Sequence, residues 1–103
     1  MRSVEIAVRF GKNLVRARKR AGLSQEEVGF RASLHRTEIG MLERGSRLPR
    51  VDTLIKLAAA VEVRPEELLD GLDWTGPAAP PAGNFSVRDD GAAAPAEPDP
   101  SLN

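Results

Sequence analysis

The sequence predicts an all-α fold, with a small helical domain over residues 4–74 and a disordered tail over residues 75–103. Three observations lead there. Apolar residues recur at three- and four-residue steps through most of the first 70 positions, the spacing of one buried face of a helix. No stretch alternates like a strand for more than a few residues. Composition changes abruptly after Trp74, where Pro, Ala, Gly and acidic residues take over and little apolar surface remains to bury. Such a segment cannot offset its ordering entropy.

Five helical segments can be read, each with its own punctuation. The first covers about 4–21, with Phe10, Leu14, Ala17 and Ala21 on one face and Gly22 as its stop. The second starts at Ser24, where Glu27 three residues on completes a capping box. Its buried stripe is Val28 and Ala32, with Gly29 allowing close approach. The third covers about 36–44, points Ile39 and Leu42 inward and ends at Gly45. The fourth covers about 51–61, with Leu54, Leu57, Ala58 and Val61 inward. Pro49 lies before it, and Asp52 sits in the first turn where the helix dipole favours an anion. The fifth is short, opening on Pro65, Glu66 and Glu67, burying Leu68 and Leu69, and ending at Gly71.

Composition removes several function classes. The chain has 103 residues, 41% of them apolar and 4% aromatic, which suits one helical core. It has no cysteine and a single histidine, His35, so neither a disulfide framework nor a thiolate or histidine-rich metal site is expected. No cofactor is implied. No apolar run approaches the roughly 20 residues of a membrane span. The start, with its acidic Glu5, does not read as a secretory signal, and a cytoplasmic protein is expected.

Net charge is zero, but the charges are segregated. Residues 1–50 hold twelve Lys and Arg against five acids, a balance of +7; residues 51–75 carry −4 and residues 76–103 carry −3. A basic half backed by an acidic remainder marks a surface that meets a polyanion. The same segregation would also arise from two solvated faces with no partner.

Residues 24–44 carry the functional signal. Two short helices separated only by Ser33 and its neighbours must cross steeply, which is helix-turn-helix geometry, with the second helix aimed at the DNA major groove. The outer face of that second helix presents Arg36, Thr37, Gly40, Met41 and Arg44, while Ile39 and Leu42 anchor it. The run Leu23-Ser24-Gln25-Glu26-Glu27-Val28, then Ile39, Leu42-Glu43-Arg44-Gly45, Pro49, Leu54 and Leu57-Ala58 resembles the xenobiotic-response-element (Cro/phage-repressor) helix-turn-helix family over about residues 8–70.

That resemblance implies a five-helix lambda-repressor-like DNA-binding domain, a transcriptional regulator that binds a two-fold-symmetric operator as a homodimer. It assigns Gln25 to a DNA phosphate and to bracing the recognition helix, and Arg18 with Glu43 to a structural ion pair. Arg36 and Thr37 fall where the family reads base edges. Arginine offers two parallel donors that fit guanine O6 and N7. Met41 reads as a contact to a thymine methyl or sugar, with helix packing as the alternative. His35 sits at the N-cap of the recognition helix, with Glu38 three residues on, so capping is its first role and a phosphate contact its second. Arg44, Arg47 and Arg50 follow the recognition helix and are expected to meet phosphates.

Three positions depart from the family pattern. Ser33 replaces a turn glycine, so a left-handed backbone there carries strain. Gly40 replaces a polar contact residue, and Arg50 replaces the small N-cap of the fourth helix. The dimer surface is expected around Leu68, Leu69, Leu72 and Trp74. An enzyme is not expected. Glu26, Glu27, Glu66 and Glu67 are explained by helix starts, and the chain shows no nucleophile beside a base and no phosphate-cradling glycine loop. A DNA-tethered antitoxin or adaptor is the other reading, its acidic tail binding a partner protein through Phe85 and Val87.

Overall fold

Phe10, Leu14, Val28, Ile39, Leu42, Leu57, Val61 and Leu68 meet with no exposed surface, or almost none, in one apolar core to which every helix contributes. The computed structural model describes the backbone of residues 2–78 and 83–88, and the side chains from Glu5 onward within those spans. The elements are α1 (Arg2–Arg20), α2 (Gln25–Ala32), α3 (Arg36–Glu43), α4 (Val51–Ala60), α5 (Pro65–Leu68), β1 (Leu72–Thr75) and β2 (Asn84–Val87).

The helix ends follow from local chemistry. At the start of α2, Glu27 donates its backbone N–H to the Ser24 hydroxyl at 3.0 Å, and Ser24 donates its own N–H to the Glu27 carboxylate at 2.7 Å. Four helices then stop in the same way, with a left-handed residue whose successor donates back to a carbonyl five positions earlier. The bonds are Leu23 to Arg18, Leu34 to Gly29, Ser46 to Met41 and Val63 to Ala58. Glycine occupies the left-handed position twice, at Gly22 and Gly45. Ser33 (φ 57°) and Glu62 (φ 64°) take it the other two times, at a steric cost.

Close approach decides how α1 meets the helix-turn-helix. A Cβ on Gly11 would stand 2.7 Å from the Leu42 carbonyl oxygen and closer still to that of Glu43, so α1 rests on α3 backbone to backbone. A Cβ on Gly29 would stand 2.6 Å from the Leu34 carbonyl oxygen, which sets the tight α2–α3 crossing. Both positions are intolerant of any larger side chain.

The fold is not purely helical, which corrects the all-α expectation. β1 and β2 pair antiparallel, with Leu72 opposite Val87 and Trp74 opposite Phe85. Trp74 and Phe85 stack edge to face with ring centres 4.9 Å apart. The boundary expected at residue 74 therefore falls inside a strand, and residues 83–88 of the tail are ordered against α1. Arg9, on α1, donates to the Arg88 carbonyl at 2.9 Å and lies 3.7 Å from Asp70, while Arg88 donates its N–H to the Gly71 carbonyl at 2.7 Å. Strand pairing and these polar contacts supply what the tail's weak apolar content does not. Residues 79–82 and 89–103, the rest of the expected tail, lie outside the described residues.

Asn13 is a buried polar residue the periodicity passes over. Its amide donates to the Leu68 and Asp70 carbonyls, both at 2.9 Å, and its oxygen accepts from Arg9 at 3.2 Å. It thereby pins the carbonyl end of α5 to α1 and supplies a donor to the buried Leu68 carbonyl.

Candidate nucleic-acid interface

The recognition helix α3 is positioned from three sides. Its inner face is Ile39 and Leu42, both fully buried. Its N-terminus is capped by His35, whose Nδ1 accepts the Thr37 N–H at 3.0 Å. The expected N-cap role holds. Glu38, however, turns away from the cap and pairs with Arg47 at 3.0 Å. At the C-terminal end, Glu43 is gripped by Arg18 in a two-pronged pair, Nε to Oε2 at 2.5 Å and Nη2 to Oε1 at 3.1 Å. Gln25 adds a third donor to Glu43 at 2.9 Å, and Arg18 also donates to the Leu23 carbonyl at 3.0 Å. One carboxylate thus ties α1, α2 and α3 together.

With α3 held this way, its remaining side chains project outward. Arg36 and Thr37 are exposed at its N-terminal end, and Arg44 is exposed at its C-cap. Met41 is half-buried, so its thioether is shared between packing and the open face. Gly40 does not belong with these. It is buried, and a side chain there would meet Arg44 Nη1 at 3.1 Å and Gln25 Oε1 at 3.8 Å. Its small size leaves room for Arg44 and Gln25 against the helix.

The arginines are not equivalent. Among the described residues Arg36 and Arg44 form no ion pair, whereas Arg47 is paired with Glu38 and Arg50 lies 3.4 Å from Asp52. Arg50 makes no side-chain cap to α4, and Asp52 instead accepts the Thr53 N–H at 2.9 Å. Of these four arginines, the two without an ion pair lie on α3 and at its end, and the two paired ones lie in the loop that follows.

Of the expected dimer surface, Leu68 is fully buried in the core, which removes it, and Leu72 is half-buried. Leu69 and Trp74 remain exposed. Two carboxylates are held below their ordinary range. Glu27 is lowered by the backbone N–H of Ser24 and then by its hydroxyl, and Glu66 by its own backbone N–H and then by Arg64. Both sit at helix starts, where such bonds stabilise the charged form. No group of His, Asp or Glu among the described residues is arranged to hold a metal ion.

The helix-turn-helix family pattern matches residues 14–68, from the middle of α1 through α5 and just over half the chain. The chain belongs to the helix-turn-helix family. Control protein C.BamHI of Bacillus amyloliquefaciens is 38% identical over 66 residues, covering 63% of this chain and 82% of that protein. An uncharacterized HTH-type transcriptional regulator of Sinorhizobium fredii, y4dJ, is 43% identical over 65 residues, covering 63% and 84%. The crystal structure of the restriction-modification controller protein C.AhdI from Aeromonas hydrophila aligns with a TM-score of 0.59 at 40% identity, covering 60% of this chain and 94% of that one. This helix-turn-helix protein is a DNA-binding transcriptional regulator. No helix among its described residues is long and apolar enough to cross a membrane.

Proposed function

We propose that the protein is a sequence-specific regulator that binds double-stranded operator DNA as a homodimer, each copy placing α3 in the major groove of one half of an inverted repeat. The observation that carries this is the state of α3. Its inner face, its cap and its C-terminal carboxylate are all engaged by the domain, while Arg36, Thr37 and Arg44 stand outward. A rigid helix with its cations directed away from the core is preorganised for a groove.

In this reading Arg36 and Thr37 read base edges, with Met41 touching a methyl or sugar. Gln25, His35 and Arg44 fix the helix against phosphates. Arg47 and Arg50 add phosphate contacts after releasing Glu38 and Asp52. Affinity comes largely from counterion release and specificity from the first turn of α3. The finer resemblance to the xenobiotic-response-element group is compatible with this architecture. The likeness to C.AhdI, a restriction-modification controller protein, favours a controller of restriction–modification genes as the biological setting.

Selection of bound duplexes from a random pool at about 0.15 M salt, where long-range charge is screened, tests the proposal. Enrichment of one inverted repeat with half-sites about 34–36 Å apart is expected. Recovery of unselected sequence by folded protein would refute it.

A further inference from the structure

Away from α3, most exposed arginines among the described residues face a carboxylate; Arg20 meets Glu67, Arg31 meets Glu62 and Arg64 meets Glu66. Lys12, Arg16 and Lys19 of α1 do not. All three are exposed, and none has an ion-pair partner among the described residues. Their spacing of four and then three residues puts them on one face of the helix. That face is opposite Phe10, Leu14 and Ala17, which α1 buries, and is turned from Gly11 and Arg18, which meet α3. Like charges at these spacings destabilise a helix unless an anion lies along them.

The nearest polyanion is the chain's own last segment. Residues 89–103 lie outside the described residues; they hold Asp89, Asp90, Glu97 and Asp99 and no Lys or Arg. The point where this segment leaves the fold selects it over DNA as the occupant. The Arg88 carbonyl accepts from Arg9 Nη1 at 2.9 Å, so Asp89 starts beside the turn of α1 that carries Lys12. β2 reaches the same turn, where Lys12 and Val8 line one open groove with Phe85 and Val87. Lys12 to Lys19 covers about 10 Å of helix. Asp89 to Asp99, in the extended form that Pro95 and Pro98 favour, reaches about 30 Å. A tethered segment also presents its charges at millimolar effective concentration.

We infer that residues 89–103 dock on the Lys12–Arg16–Lys19 face of α1, with Asp89 and Asp90 toward Lys12 and Glu97 and Asp99 toward Arg16 and Lys19. Three exposed pairs together favour the docked form by about 10-fold at low salt. Docking holds the four carboxylates on the side of α1 turned from α3, where they do not compete with DNA for Arg36 and Arg44.

The chain has no cysteine, so Ala96→Cys carries a single nitroxide spin label on the full chain. Amide NMR spectra are compared at about 0.01 M and 1 M salt, where the screening length is roughly 30 and 3 Å. At low salt the Lys12, Arg16 and Lys19 amides are expected to broaden well beyond those of α4, and at high salt to lose that difference. Dilution into unlabelled protein is expected to leave the broadening unchanged. Asp89→Asn, Asp90→Asn, Glu97→Gln and Asp99→Asn together leave α1 intact and are expected to abolish it. Equal broadening of α1 and α4 at low salt overturns the inference. So does broadening that outlasts 1 M salt or the four neutral substitutions, or that vanishes on dilution. Shifts of the three amides on adding a DNA duplex, in a chain whose label reports no docking, assign the stripe to phosphates instead.

Discussion

Replacing Arg18 with alanine isolates the contact that holds the recognition helix to the rest of the domain. The Glu43 side chain is only 5% exposed and that of Arg18 14%, so water does not compensate when the guanidinium is lost. Of the three donors on Glu43, two come from Arg18 and one from Gln25, so the variant leaves a buried carboxylate with one neutral donor. The Leu23 carbonyl loses its Arg18 donor as well. Breaking one side of a buried pair costs about 3–5 kcal/mol, against about 0–1 kcal/mol for an exposed pair. In a domain of this size that corresponds to a fall of about 15–30 °C in Tm. Thermal melting followed by helical CD, with urea titration in parallel, measures it. The apolar double variant Arg18→Met with Glu43→Leu removes both charges and should recover to within about 2 kcal/mol of wild type, which separates charge stranding from lost packing. The reasoning fails if Arg18→Ala costs less than about 1 kcal/mol, or if the double variant is no more stable than the single.

The cap of α2 makes stability acid-sensitive. The carboxyl of Glu27 is held below its usual range by the Ser24 N–H, so it contributes stability above the unfolded-state value, lost as pH falls through the lower folded value. Glu27→Gln should flatten the acidic limb of a stability–pH profile, and Ser24→Ala should cost about 1 kcal/mol at neutral pH by urea unfolding. Ser33→Gly relieves a left-handed serine and should stabilise the domain by up to about 1 kcal/mol; a destabilised variant would mean that the serine side chain serves the turn. Glu38→Gln releases Arg47 and removes an anion beside the DNA-facing surface, so operator affinity in a fluorescence titration should rise by about five-fold at low salt. An unchanged affinity would place Arg47 away from the phosphates.

The helical part of the fold was legible because each segment carried a period and a start or stop signal. Phe10, Leu14 and Ala17 announced α1, Ser24 with Glu27 announced α2, and Gly22 and Gly45 marked ends that the structure keeps. The strands were not legible. Asn84–Val87 is only four residues long, with Phe85 and Val87 as its apolar positions, and gains its order from Trp74 and from Arg88 meeting Asp70 and Asp73, contacts made across residues far apart in sequence. Leu68 and Leu69 are adjacent and alike in the sequence, yet one is core and the other exposed, because the short α5 is aimed by Asn13, a polar residue invisible to hydrophobic periodicity. The burial of Gly40 was not legible for a related reason. Its position on the helix circumference suits DNA, but Arg44 and Gln25 fold across it. A glycine inside a helix was the signal available for that, as at Gly11.

The most direct test of groove recognition by α3 is a comparison of wild type and Arg36→Ala on the selected operator and its complete set of single-base variants, at two salt concentrations. The account predicts that Arg36→Ala loses discrimination at one base pair in each half-site, by about 1–3 kcal/mol, and keeps it elsewhere. Equal weakening on every duplex, with only a shallower salt dependence, would show Arg36 to be a phosphate contact and would contradict base reading by the first turn of α3.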